Sequence, residues 1–187
     1  MEDKQFIETY FQTFQQCIQP GGIEEDMLKM RDIMLAANRA RKKIIFAGNG
    51  ASATIASHCA LDYTKQAGIR STCFNEAALL TAFGNDFGYE MWLQKALEFY
   101  ADKEDLIVLI SSSGKSPNII NAAQYAKDKK FTIVTLTGFD PNNPLKKMGD
   151  INFWVESKSY NMIECTHMFW LVLVCDLIIG KSEYKTS

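Results

Sequence analysis

The run Leu106-Ile-Val-Leu-Ile-Ser-Ser-Ser-Gly-Lys-Ser116 concentrates more chemistry than any other stretch of this chain. A wholly apolar segment empties into four serines and one glycine, and Pro117 opens the helix expected over Asn118–Lys130. Small hydroxyls and free backbone N–H groups at a helix N-terminus make a site for a phosphate or another anion. One serine is enough to cap the helix, so Ser111, Ser112, Ser113 and Ser116 together point to ligand contact. A second turn, Gly48-Asn-Gly-Ala-Ser52, follows another apolar run and offers Asn49, Gly50 and Ser52 to the same purpose. Two such turns in one small domain imply a phosphorylated small molecule held at the strand ends.

Two nucleotide readings fail on spacing. Gly48-Asn-Gly-Ala-Ser-Ala53 has the GxGxxA form of a dinucleotide turn, with Glu76 as the ribose acid. Glu76 comes later than the roughly twenty residues that role requires, and the serine turn would have no task. Gly114-Lys-Ser116 would end a nucleoside-triphosphate loop, but the position of that loop's first glycine holds Leu109, inside a strand. No nucleotide cofactor is expected.

The elements that must position these turns are legible in the hydrophobic pattern. Phe6, Ile7, Tyr10, Phe11, Phe14 and Ile18 recur at helical spacing, and a second helix is expected over Glu24–Ala40. Strands are expected at Lys43–Ala47, Arg70–Phe74, Leu106–Ile110, Thr132–Thr137 and Ile151–Val155. Helices over Ser52–Lys65, Ala77–Phe83, Glu90–Ala101 and Met162–Ile179 alternate with them. Short apolar strands alternating with helices predict a parallel sheet covered on both faces, with ligands bound at the strands' carboxyl ends. The two leading helices stand outside this alternation and suit assembly.

At 187 residues the chain is the size of one domain, divided as 1–41 for the helices and 42–187 for the α/β core. A formal charge of −2 gives no general attraction to nucleic acid or an acidic membrane. Arg39, Arg41, Lys42 and Lys43 end a helix, where cations suit the helix dipole. The five cysteines form no CxxC pair and, with no leader evident, read as reduced thiols of a cytoplasmic protein. The apolar run Met168–Cys175 is too short for a membrane span of roughly twenty residues, so no membrane partner is expected.

Gly48-Asn-Gly-Ala-Ser52, Gly84-Asn-Asp-Phe-Gly88, Ile110-Ser-Ser-Ser-Gly-Lys-Ser116 and Thr135-Leu-Thr-Gly138 resemble, in order and spacing, the sugar isomerase (SIS) domain. The closer similarity is to its phosphoheptose isomerase and DiaA branch. The resemblance implies a flavodoxin-like α/β sandwich with a five-stranded parallel sheet, assembled as a homotetramer with shared sites. It implies that the serine turn holds a heptose-class sugar phosphate, with Asn49, Ser52 and Asp86 on the sugar or its loop. The implied reaction interconverts ketose and aldose through an enediol, and a zinc ion accompanies it in this branch. A DiaA-like, protein-binding tetramer without catalysis is the alternative.

The resemblance also assigns roles on two helices. His58 matches the family's first histidine, and Asp62 the catalytic glutamate four residues on, shorter by one methylene. Glu164 matches a glutamine, while the catalytic histidine's position holds Val172. That leaves Asp62 as base and His167 as the available acid, although His167 points roughly 140° from Val172 around the helix. The chain has two histidines, each one turn from a carboxylate. His58, Asp62, Glu164 and His167 are therefore the candidate metal ligands, on two helices.

Overall fold

The strands alternate strictly in what they bury, and that alternation dictates the layers. Strands β1 (Ile44–Gly48) and β3 (Leu106–Ile110) are buried along their whole length. Ile44 and Phe46 face one core with Leu106, Val108 and Ile110; Ile45 and Ala47 face the other with Ile107 and Leu109. A strand buried on both faces needs helices on both, and the chain supplies them. The computed structural model describes residues 2–183; the ends of the expected domain, residue 1 and residues 184–187, lie outside them.

With β2 (Ser71–Cys73), β4 (Thr132–Thr137) and β5 (Ile151–Trp154), the five strands form one parallel sheet in the order β2-β1-β3-β4-β5. This is the flavodoxin-like order expected. Helices α1 (Asp3–Ile18), α2 (Ile23–Arg39), α3 (Ala51–Lys65) and α7 (Tyr160–Ile179) contribute to the core on one face. Helices α4 (Ala77–Phe87), α5 (Trp92–Tyr100) and α6 (Pro117–Asp128) pack on the other. The expected α4 stopped at Phe83. The helix instead runs through Gly84 to Phe87, whose ring meets Phe83 edge-on one turn earlier, and ends at Gly88 with φ +85°.

Helix α7 corrects the length argument made for its apolar run. At 20 residues it is long and apolar enough to cross a membrane. Its packing excludes that role within this fold. Trp170, Leu171, Val174 and Cys175 are buried against the sheet and neighbouring helices, and Trp170 Nε1 donates to the Ile18 carbonyl across to α1 (2.9 Å). Of the basic cluster at the end of α2, the two lysines are paired. Lys43 meets Asp102 at 2.7 Å and Asp105 at 2.5 Å, and Lys42 meets Glu104 at 3.6 Å.

Candidate functional site

Strand order reverses between β1 and β3, so the turns that leave them diverge and open a crevice at their carboxyl ends. The turn after β1 is tight because Gly48 carries no side chain. A Cβ there would lie 2.6 Å from the Ser52 Cβ and 2.7 Å from its carbonyl. Gly50 follows with φ +56° and α3 begins at Ala51. After β3, Ser116 occupies the N-cap of α6, with Pro117 at the first helical positions. Both helices thus aim their N-terminal N–H groups toward one point.

The result is a cavity of about 240 Å³ lined by Asn49, Gly50, Ala51, Ser52, Ile110, Ser111, Ser112, Ser113, Ser116, Tyr160 and Glu164. All seven residues named from the two turns are in its wall. Ser111 and Ser112 are buried, and the Ser111 hydroxyl reaches Ser116 Oγ at 3.4 Å. Ser112 Oγ is buried with no hydrogen-bond partner. A buried hydroxyl without a partner is costly unless a ligand supplies one.

The serine turn is braced from behind. Gly114 has φ +62°, its carbonyl accepts from Leu145 N (3.2 Å), and the Asn143 side chain fills the space where a Cβ would stand. Asn143 is wholly buried, donating to Thr137 Oγ1 (3.1 Å) and the Asp140 carbonyl (2.8 Å) while accepting from Lys146 N (2.9 Å). Asn49 is held by Asn118, each carboxamide donating to the other's oxygen at 2.9 Å, with the Tyr89 hydroxyl donating to Asn49 Oδ1 at 3.3 Å.

Glu164 enters the cavity from α7. It also lines an adjoining groove of about 580 Å³ with Phe14, Ala51, Thr54, Ile55, Met168 and Val172. Its carboxyl has no hydrogen bond or ion pair among the described residues, and burial pushes its pKa up. Tyr160, the first residue of α7, closes another side, its ring packed on Phe139 with centroids 4.7 Å apart. Sequence reasoning missed Tyr160, Asn118 and Asn143. Tyr160 lies one helical turn before Glu164 on α7, an i, i+4 spacing that could have found it, whereas the two asparagines act on Asn49 and Gly114, distant in sequence.

The remaining expected site residues lie elsewhere. Asp62 stands ten residues beyond Ser52 on α3, about 15 Å along the helix axis. There it accepts from Gln66 (3.0 Å) and pairs with His58 Nε2 at 3.0 Å. Asp86 is exposed near the end of α4, accepting from Asn85. His167 departs furthest from expectation: it is wholly buried, its Nε2 bonds the Thr137 carbonyl at 3.1 Å, and Nδ1 has no partner. Burial lowers its pKa to about 4. The 3.6-residue repeat turns it toward the sheet, so it is corrected from acid to core residue.

The four expected zinc ligands do not come together within one chain. Among the described residues no three His, Cys, Asp or Glu side chains form a metal-holding group. His167 is sealed in the core, and His58 and Asp62 line neither the cavity nor the groove that Glu164 lines. Within one chain this donor set does not fit a zinc ion, and no chemistry is routed through one.

Residues 7–138 match the family model for the SIS domain. The chain is 34% identical over 181 residues to the phosphoheptose isomerase of Sulfurimonas denitrificans, covering 94% of this chain and 92% of that one. It is 32% identical to the phosphoheptose isomerase of Aliarcobacter butzleri, covering 87% and 88%. Among solved structures, the phosphoheptose isomerase GmhA of Neisseria gonorrhoeae superposes with a TM-score of 0.86 at 26% identity, covering 95% of this chain and 98% of that one. A phosphoheptose isomerase from Francisella tularensis superposes with a TM-score of 0.87 at 24% identity, covering 97% and 100%, which shows the shared fold.

Proposed function

The chain belongs to the SIS-domain family, and from that premise we propose that it is a sugar phosphate aldose–ketose isomerase acting on a seven-carbon substrate. The proposed conversion is sedoheptulose 7-phosphate to D-glycero-D-manno-heptose 7-phosphate. The observation that carries this reading is the cavity at the β1/β3 crevice, where four serines and two helix N-termini converge on one anion-sized point. Relatives aligned along almost the whole chain are phosphoheptose isomerases.

In this reading Ser111, Ser112, Ser113 and Ser116 grip the phosphate, and Asn49, Gly50 and Ser52 meet the sugar side of the cavity. The reaction then needs a base at the carbons beside the carbonyl, hydrogen-bond donors at the enediol oxygens and exclusion of water. The apolar groove beside Glu164 keeps one side of the site poor in water. We place the protein in the cytoplasm as a single SIS unit assembled into a homotetramer. Supporting assembly, α1 leaves Phe6 and Phe11 more than half exposed, and α4 buries none of its apolar residues within one chain. Asp86 on α4 and the His58–Asp62 pair would then complete a neighbour's site.

One observation favours a second reading, a sugar phosphate binder or DiaA-like adaptor without turnover. Val172 lines the groove where the family has its histidine, and the nearby His167 is buried. Incubation with sedoheptulose 7-phosphate, followed by NMR for the aldose, separates the two. Isomer formation supports the enzyme, whereas tight binding without isomer selects the binder.

A further inference from the structure

We infer that Glu164, rather than Asp62, is the carboxylate that carries the proton between the two carbons. This inference rests on the isomerase reading above and deepens it. Among the described residues, Glu164 is the one acidic side chain in the wall of the serine cavity, and it also lines the adjoining groove. A sugar anchored by its phosphate at Ser111–Ser116 can extend into those two spaces, and Glu164 lines both. Asp62, by contrast, is about 15 Å along α3 from Ser52 of its own chain and reaches a serine cavity only across a subunit interface, and its carboxylate is already committed to His58 and Gln66. Glu164 has no such commitment. The chain therefore places a free carboxylate at the cavity, on α7, while the one on α3 is shortened and paired.

The step balances without a co-reactant beyond water. The Glu164 carboxylate takes a proton from C1 of the ketose. The C1–H electron pair becomes the C1=C2 double bond, and the carbonyl oxygen on C2 takes a proton from solvent, giving the enediol. Glu164 then returns its proton to C2. The hydroxyl on C1 loses its proton to solvent and becomes the aldehyde.

The test compares wild-type protein, E164Q, E164D and D62N for deuterium incorporation at C1 of sedoheptulose 7-phosphate in heavy water. Affinity is measured in parallel by calorimetry. E164Q is expected to lose exchange by about a hundredfold or more, with affinity held within about threefold. E164D should recover part of the exchange, and D62N should cost less than E164Q. Exchange by E164Q at the wild-type rate would overturn the assignment alone, as would a larger loss in D62N or a loss of affinity matching the loss of exchange. Absence of exchange by the wild-type protein would overturn both the assignment and the isomerase reading.

Discussion

Asn49 and Asn118 exchange two hydrogen bonds of 2.9 Å, tying the turn after β1 to the first turn of α6, residue to residue. Asn118 is 1% exposed, and Tyr89 donates to the same Asn49 oxygen. With its oxygen so occupied, Asn49 has an N–H left over for a ligand, which suits an anionic or hydroxylated guest.

If Asn118 acts through Asn49, its removal matters only while Asn49 is present. N118A is expected to weaken sugar phosphate binding by about tenfold, and the same substitution in an N49A background to cost little more. A double-mutant cycle by calorimetry should give a coupling of at least about 1 kcal/mol. Additivity within about 0.3 kcal/mol would show the pair to be independent.

Gly114 holds the serine turn in a conformation that a side chain opposes twice. Its φ of +62° disfavours L-residues, and Asn143 occupies the space of a Cβ. G114A is expected to lower stability by about 2–3 kcal/mol, read as a melting temperature lower by roughly 4–12 °C. Sugar phosphate affinity should fall with it, because Ser113 precedes the distorted residue and Ser116 follows two positions later. Unchanged melting and binding would show that the turn tolerates the side chain.

His167 makes stability depend on pH with a definite sign. Burial lowers its folded pKa from 6.5 to about 4, so the folded state holds it neutral while the unfolded state protonates it more readily. Its contribution is complete above the unfolded value and is lost as pH falls through the window from 6.5 toward 4. Urea unfolding should show about 2 kcal/mol less stability at pH 5 than at pH 7.5 from this group. H167Q should flatten that slope, and a slope unchanged in H167Q would assign it elsewhere.

The fold and much of the site are legible in the sequence. Strand cores such as Leu106–Ile110 carry too many consecutive apolar residues to lie anywhere but inside a parallel sheet, and turn chemistry marked both pocket loops. What escaped were relationships across the chain. Asn143 braces Gly114 from another loop, and nothing in its neighbours signals that. His167 matched a position near the family's site, but helix phase turned it inward to Thr137. Asp62 and His58 do sit on one helix face, as the i, i+4 spacing requires, yet that face is far down α3 from the cavity.

Assembly is testable on α1. Phe11 is 69% exposed and Phe6 56% exposed. In light scattering after size-exclusion chromatography, the wild-type protein is expected to run as a tetramer, and the F6E/F11E double substitution as a smaller species. A monomeric wild-type protein, or a variant of unchanged mass, would remove α1 from the interface.

The central claim is that the serine turn after β3 binds a phosphate ester. Calorimetric titration of sedoheptulose 7-phosphate into wild-type protein and into the S111A/S112A/S116A variant tests it most directly. The wild-type protein should bind, and the variant should bind at least about a hundredfold more weakly while keeping its fold, with three hydroxyls lost at about 1 kcal/mol each. Equal affinity in both proteins, or no binding by the wild-type protein, would contradict the account.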